Sequence, residues 1–172
     1  EPVRSELETP FPGAVLGNPE GEVTLVEFSD YACGYCRQSV DDVQKLIAAN
    51  PDLRVVIREL PILSADSAAA ARMALAAAQQ GKYAEYHDAM FRLGPPSAET
   101  IARAAQEAEL DLAEAQAAID SGAFDPFLQT NVELANRIGI GGTPGWVVGD
   151  RIIDGAVGHA VLGEAIEEAR QS

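Results

Sequence analysis

Two cysteines three positions apart, Cys33 and Cys36, stand between a run that reads as a buried strand and a stretch with helical spacing. The chain of 172 residues has no other cysteine. There is therefore no disulfide framework and no second pair for a four-cysteine zinc site. The strand is Val23-Thr24-Leu25-Val26-Glu27-Phe28, apolar except at Thr24 and Glu27. That is the pattern of a strand covered on both faces. Ser29-Asp30-Tyr31-Ala32 supplies polar capping candidates before the cysteines. From Cys36 onward, Val40, Val43 and Ile47, with Leu46 beside them, fall on one helical face. Asn50-Pro51 ends that helix, and Leu53 to Arg58 reads as a second strand. The three pieces make a βαβ unit with a right-handed crossover.

The chain on either side differs from this unit. Residues 1–21, rich in Pro, Gly and Glu, read as an extended N-terminal segment with little regular structure. Residues 65–138 read as a helical insertion of four or five Ala-rich helices, broken at Gly81, at Gly94-Pro95-Pro96 and at Ser121-Gly122. Within it, Tyr83, Tyr86, Met90 and Phe91 keep a helical spacing, and Ser97 caps the helix that follows. No fixed period marks a repeat array. After Gly139 to Pro144 strand character returns. Trp146-Val147-Val148 and Arg151-Ile152-Ile153 flank Gly149-Asp150, a hairpin signal. Ala160 to Arg170 places Leu162, Ile166 and Ala169 on one helical face. The order is β-α-β, helical block, β-β-α, an α/β fold.

The formal charge of −15 argues against nucleic acid and anionic lipid as partners. No run of about 18 apolar residues predicts a membrane-spanning helix. Glu1 to Pro12 lacks the basic start and apolar stretch of a signal peptide, although a mature secreted chain would have lost one. His87 and His159 lie far from the cysteines in sequence and carry no metal-ligand spacing, so no metal site and no cofactor are expected.

A C-x-x-C at a helix start has a specific use. The helix N-terminus presents unpaired N–H groups and the positive end of the dipole, and both stabilise a thiolate. The pKa of Cys33 is expected to fall below the free value of about 8.5. Cys33 then reads as the exposed nucleophile and Cys36, one turn on, as the deeper resolving thiol that closes a mixed disulfide. Gly34 and Tyr35 flank the first sulfur and tune its reduction potential. A metal half-site, a structural disulfide and chance are the competing readings of such a pair.

The run Glu27-Phe28-Ser29-Asp30-Tyr31-Ala32-Cys33-Gly34-Tyr35-Cys36 resembles the active-site opening of DsbA-like bacterial thiol–disulfide oxidoreductases. Gly142-Thr143-Pro144 resembles their cis-proline loop, and the helical block matches their insertion. The resemblance covers about residues 15–170. It implies a thioredoxin-like domain formed by residues 22–64 and 139–172, with 65–138 inserted. It also implies that Pro144 is cis and lies beside Cys33. The backbone of Thr143 is then free to pair with an extended substrate segment. Glu27 matches the family's buried acid, whose proton affinity is raised by desolvation and which relays a proton to or from Cys36. A strand-end glutamate reaching solvent is the alternative.

The resemblance implies an extracytoplasmic, periplasmic enzyme that makes disulfides in cysteine-containing substrate proteins and exchanges electrons with a redox partner protein. Two departures bear on the direction of the chemistry. The dipeptide is Gly34-Tyr35 rather than Pro-His, and Thr143 rather than Val precedes the proline. Both features resemble periplasmic isomerases of the DsbC type. DsbA-like proteins of the suppressor-of-copper-sensitivity group, and outer-membrane-associated DsbA-like proteins, combine them with the helical insertion. An isomerase or reductase is therefore the main alternative to an oxidase. A metal-handling protein using Cys33 and Cys36 as soft ligands, and a surface module with a fixed disulfide, are the alternatives from other classes.

Overall fold

The computed structural model describes residues 2–172. Five strands, β1 (Val15–Gly17), β2 (Val23–Ser29), β3 (Leu53–Glu59), β4 (Gly145–Val148) and β5 (Arg151–Asp154), form one sheet in the order β1-β3-β2-β4-β5. Strands β2 and β3 run parallel, with Glu27 opposite Ile57 and Ser29 opposite Glu59. The other pairings are antiparallel. The helices are α1 (Pro2–Glu8), α2 (Gly34–Ala49), α3 (Ala65–Gln79), α4 (Tyr83–Leu93), α5 (Ala98–Glu107), α6 (Leu112–Asp120), α7 (Asp125–Ile138) and α8 (His159–Gln171).

Every residue of β2 is buried, and Val23, Leu25, Val26 and Phe28 supply its apolar surface. Alternate side chains enter different cores. Leu25, Val55, Ile57, Trp146 and Val148 pack with Val43 and Leu46 of α2 and with Leu162 and Ile166 of α8. Val26, Phe28, Val56 and Val147 pack on the other face, with Leu7 of α1 and Leu134 of α7. The helices between β3 and β4, α3 to α7, bury an Ala-rich interior together with Tyr83, Tyr86, Met90 and Phe91. Ser97 heads α5 in a reciprocal cap. Its hydroxyl accepts the Thr100 N–H at 3.1 Å, and its own N–H is donated to Thr100 Oγ1 at 2.8 Å.

The N-terminal segment departs from the extended lead-in expected for residues 1–21. It forms helix α1 and the edge strand β1, which pairs antiparallel with β3. The physical reason lies in β3. Arg58, only 8% exposed, donates to the carbonyls of Leu7 at 3.1 Å and Thr9 at 2.6 Å, to that of Glu6, and to Asn131 Oδ1 at 2.8 Å. Arg54 donates to the Glu8 carbonyl at 3.0 Å. A short helix leaves its last carbonyls unsatisfied, and here two arginines from about fifty residues away supply the donors. Arg58→Ala is expected to cost about 2 kcal/mol in urea unfolding and to speed amide exchange in α1. Unchanged stability and protection would show that Leu7 burial alone holds the helix.

Candidate active site

Strand β2 ends at Ser29, and a four-residue loop carries the chain to α2. Cys33 is the N-cap of α2, with extended backbone (φ −86°, ψ 118°), and its sulfur accepts the Cys36 N–H at 3.2 Å. A cap residue is extended while its side chain turns back onto the first helical turn, and here a sulfur fills that role. The loop is held by Asp30, 1% exposed. Its carboxylate accepts the N–H groups of Ala32 at 2.9 Å, Ile62 at 2.9 Å and Leu63 at 3.0 Å. Both cysteines are free thiols. Cys36 is 1% exposed and Cys33 6%, so Cys36 is the deeper of the two. Cys33 is nevertheless covered rather than exposed as the sequence led us to expect, because the Thr143 loop closes over it.

That loop follows α7. Gly139, left-handed at φ 85°, ends the helix and turns the chain. The Thr143–Pro144 peptide bond is cis. The Cys33 thiol donates to the Thr143 carbonyl at 3.4 Å, across 110 positions of sequence. An open depression of about 340 Å³ lies against Thr143 and Pro144, walled largely by glycine. Gly34 and Tyr35 face outward, and Tyr35 is 66% exposed. With Ile62 and Leu63, both exposed, it gives the surroundings of Cys33 an apolar rim.

Glu27 lies beneath the cysteines on the central strand, opposite Ile57 and Trp146 and 4% exposed. It does not reach solvent as a strand-end glutamate does. Burial first, then the charges of Glu59 and Cys33, raise its proton affinity well above that of an ordinary carboxyl. Burial, with Glu27 as the next contribution, also pushes the Cys36 thiol strongly up. The deep thiol and the deep acid thus each favour the neutral form.

The sequence does not single out Glu59, nor the link it makes among Tyr31, Tyr83 and His87. Glu59, 1% exposed, accepts hydrogen bonds on Oε2 from Tyr31 at 3.2 Å and from Tyr83. Tyr31 Oη lies 3.0 Å from His87 Nδ1. Burial pushes Glu59 up to about 8, against the two tyrosyl hydrogen bonds, and pushes His87 down to about 4. In sequence Glu59 is a charge at a strand end and His87 a lone histidine. Their meeting depends on α4 packing over the end of β3. His159, by contrast, is half exposed and lies 3.5 Å from Asp42. Among the described residues no cluster of three metal-ligating side chains occurs.

The thioredoxin family profile matches residues 11–168. A solved thioredoxin-like oxidoreductase from Silicibacter pomeroyi DSS-3 superposes with a TM-score of 0.92 at 41% identity, covering 98% of each chain. A periplasmic thioredoxin-like protein from Salmonella enterica serovar Typhimurium gives 0.85 at 27% identity, covering 100% of this chain and 98% of that one. The thiol-disulfide exchange protein alpha-DsbA2 from Wolbachia pipientis gives 0.86 at 27% identity, covering 95% of this chain and 90% of that one. The chain spans only 24% of the length of the first curated relatives it matches, two Na(+)/H(+) antiporters from Salinispora species that are 30% and 29% identical over the matched part. The chain belongs to the thioredoxin family, and its structural neighbours are DsbA-like thiol–disulfide oxidoreductases that share its sheet and its helical insertion.

Proposed function

We propose that the chain is a protein thiol–disulfide oxidoreductase that works through Cys33 and Cys36 and forms disulfides in extracytoplasmic proteins. One observation carries the reading: the Cys33 sulfur sits at the tip of α2, takes an N–H from Cys36 at 3.2 Å and faces the Thr143 carbonyl at 3.4 Å. Negative charge on that sulfur meets a helix N-terminus. Cys36 and Glu27 lie in the dry interior behind it, where a proton is kept.

In the oxidising direction a substrate thiolate attacks Cys33 Sγ of the Cys33–Cys36 disulfide. A new sulfur–sulfur bond joins substrate to Cys33, and the electron pair of the broken bond leaves on Cys36, which takes a proton from Glu27. A second substrate thiolate then attacks the substrate sulfur of this mixed disulfide and releases Cys33 as thiolate. A disulfide-bearing redox partner accepts the two electrons and restores the Cys33–Cys36 bond. The open depression at Thr143 and Pro144 and the apolar rim of Tyr35, Ile62 and Leu63 suit an extended polypeptide rather than a small thiol alone. The periplasmic neighbour supports an extracytoplasmic setting. Among the described residues no helix is long and apolar enough to cross a membrane.

Gly34-Tyr35 and Thr143 favour a second reading, isomerisation, because they match the DsbC-type pairing noted above. Two ribonuclease assays separate the readings. An oxidase accelerates disulfide formation in reduced ribonuclease and does little for the scrambled protein; an isomerase rescues the scrambled protein. Acceleration of the first assay is the expected result, and no acceleration in either would overturn the proposal.

A further inference from the structure

We propose that Glu59 is a positioning residue for thiol exchange: of the two carboxyls in one buried compartment it is the first to ionise as pH rises, and its charge then holds the proton on Glu27, beside Cys36. The inference rests on the exchange reading above and adds where the proton for the resolving thiol is kept.

Glu27 and Glu59 lie on the adjacent parallel strands β2 and β3. Ser29 is the register partner of Glu59, and Ile57 that of Glu27. The two carboxyls therefore point to the same face of the sheet, one diagonal step apart. They are 4% and 1% exposed. Two carboxylates in one dry compartment do not both ionise, and the first charge goes to the group with better hydrogen-bond donors. Glu59 has two such donors, the hydroxyls of Tyr31 and Tyr83. Glu27 has none offsetting its burial among the described residues. The directions agree: Glu59 is pushed up to about 8, while Glu27 is raised by burial and further by Glu59 itself.

Among the described residues the surroundings add no cation. The compartment is faced by Asp30 and Tyr31 from the loop before α2, by Cys33 and Cys36 at the start of α2, and by Tyr83, Tyr86 and His87 from α4. Arg58 follows Ile57 on β3 but turns to the opposite face, onto the α1 carbonyls. Arg37 of α2 donates to the Phe91 carbonyl at 2.9 Å.

Tyr31 makes the state of Glu59 visible. Its hydroxyl has one proton and two neighbours, Glu59 Oε2 at 3.2 Å and His87 Nδ1 at 3.0 Å. With Glu59 ionised, Tyr31 donates to the carboxylate and His87 donates from Nδ1 to Tyr31. With Glu59 protonated, Tyr31 donates to His87, which then carries its proton on Nε2. The tautomer of a buried neutral histidine thus follows the charge of Glu59.

The reaction step that uses the stored proton is reduction of the chain's disulfide. A thiolate adds to Cys33, the Cys33–Cys36 bond breaks, its electron pair goes to Cys36, and the Glu27 proton follows. This step slows once Glu27 loses its proton.

The test is the rate of reduction of the oxidised chain by dithiothreitol, divided at each pH by the concentration of dithiothreitol thiolate. In the wild type this quantity stays level into the alkaline range. In Glu59→Gln the fall begins at least about one pH unit lower, because the charge that held the proton on Glu27 is gone. Glu59→Asp restores the wild-type position. Glu27→Gln gives a level profile, lowered about a hundred-fold. By ¹⁵N resonance, the His87 tautomer changes with a midpoint near 8 in the wild type and not at all in Glu59→Gln. If Glu59→Gln does not fold, Tyr83→Phe removes one donor and must move the His87 midpoint upward. A fall at the same pH in Glu59→Gln as in the wild type, or a His87 midpoint unmoved by Tyr83→Phe, overturns the proposal while leaving the exchange reading intact. A wild-type rate that does not depend on Cys33 defeats the exchange reading, and this inference with it.

Discussion

Cys33→Ser is expected to abolish exchange, whereas Cys36→Ser is expected to stop it halfway, with substrate still bound. The difference follows from burial and position. Without Cys33 the sulfur facing the Thr143 carbonyl at 3.4 Å is lost. Cys36, 1% exposed, lies too deep to be reached from outside in its place. Turnover in an insulin-reduction assay should fall about a thousand-fold, to the uncatalysed rate. In Cys36→Ser the outer sulfur still attacks. The neighbour that ejects the substrate is missing, and a group held in place within the chain reaches effective concentrations of about 10⁵ M or more. External thiols at ordinary concentration do not replace it. A mixed disulfide should therefore accumulate to one per chain, visible by mass spectrometry under non-reducing conditions. Serine is close enough in size to cysteine that the fold is expected to survive. A Cys36→Ser protein that turns over normally and traps no adduct would remove Cys36 from the resolving role.

The buried acids and the buried histidine shape stability in opposite directions, giving the second large effect. The folded chain holds the Glu59 proton up to about 8, against an ordinary value of 4.5. That contribution is complete below 4.5 and is lost as pH rises through 8. Glu27 acts with the same sign. His87 stays neutral down to about 4, against an ordinary 6.5, so its contribution is complete above 6.5 and is lost as pH falls through 4. Between 6.5 and 8 only the acids act. Each group costs about 1.4 kcal/mol per pH unit over the range in which its unfolded form alone is ionised. Stability should thus fall by about 2 kcal/mol from pH 6.5 to pH 8 through Glu59 alone, with Glu27 adding to the loss. The double variant Glu27→Gln, Glu59→Gln should lose this slope. Its advantage over the wild type should be larger at pH 8 than at pH 4.5 by about 4 kcal/mol through Glu59, with Glu27 adding to the difference. Urea unfolding across this range measures it. A wild-type stability that rises from pH 6.5 to pH 8 would contradict the assignment of these groups as buried and neutral.

Much of the scaffold was legible because its signals are local. The apolar run of β2, the C-x-x-C at the start of α2, the Asn50-Pro51 stop and the Gly149-Asp150 hairpin each reflect backbone preference or one-sided burial over a few residues. The same holds for Ser97 at the head of α5. Along α2 the buried line is Cys36, Ser39, Val43 and Leu46. Val40 and Ile47, expected on the core face, are only partly buried at its flanks. Periodicity finds the face of a helix but not its centre, which the angle of packing on the sheet decides.

What failed to show was long-range. Residues 1–21 look too rich in Pro and Gly for regular structure, yet α1 and β1 form there because Arg54, Arg58 and the edge of β3 offer partners. Glu59 looks like a surface charge until the loop before α2 and helix α4 each bring a tyrosine, Tyr31 and Tyr83, against it.

By itself the sequence determined the order of elements after residue 21, the pair of sulfurs at a helix tip and an acid six residues before them, since all three follow from neighbours along the chain. Only the tertiary structure decided which carbonyl faces Cys33, which donors serve Glu59 and how Tyr31 reaches His87. Those contacts join strands, helices and loops far apart in sequence, and they exist because burial leaves a polar group no partner except the one the fold brings to it.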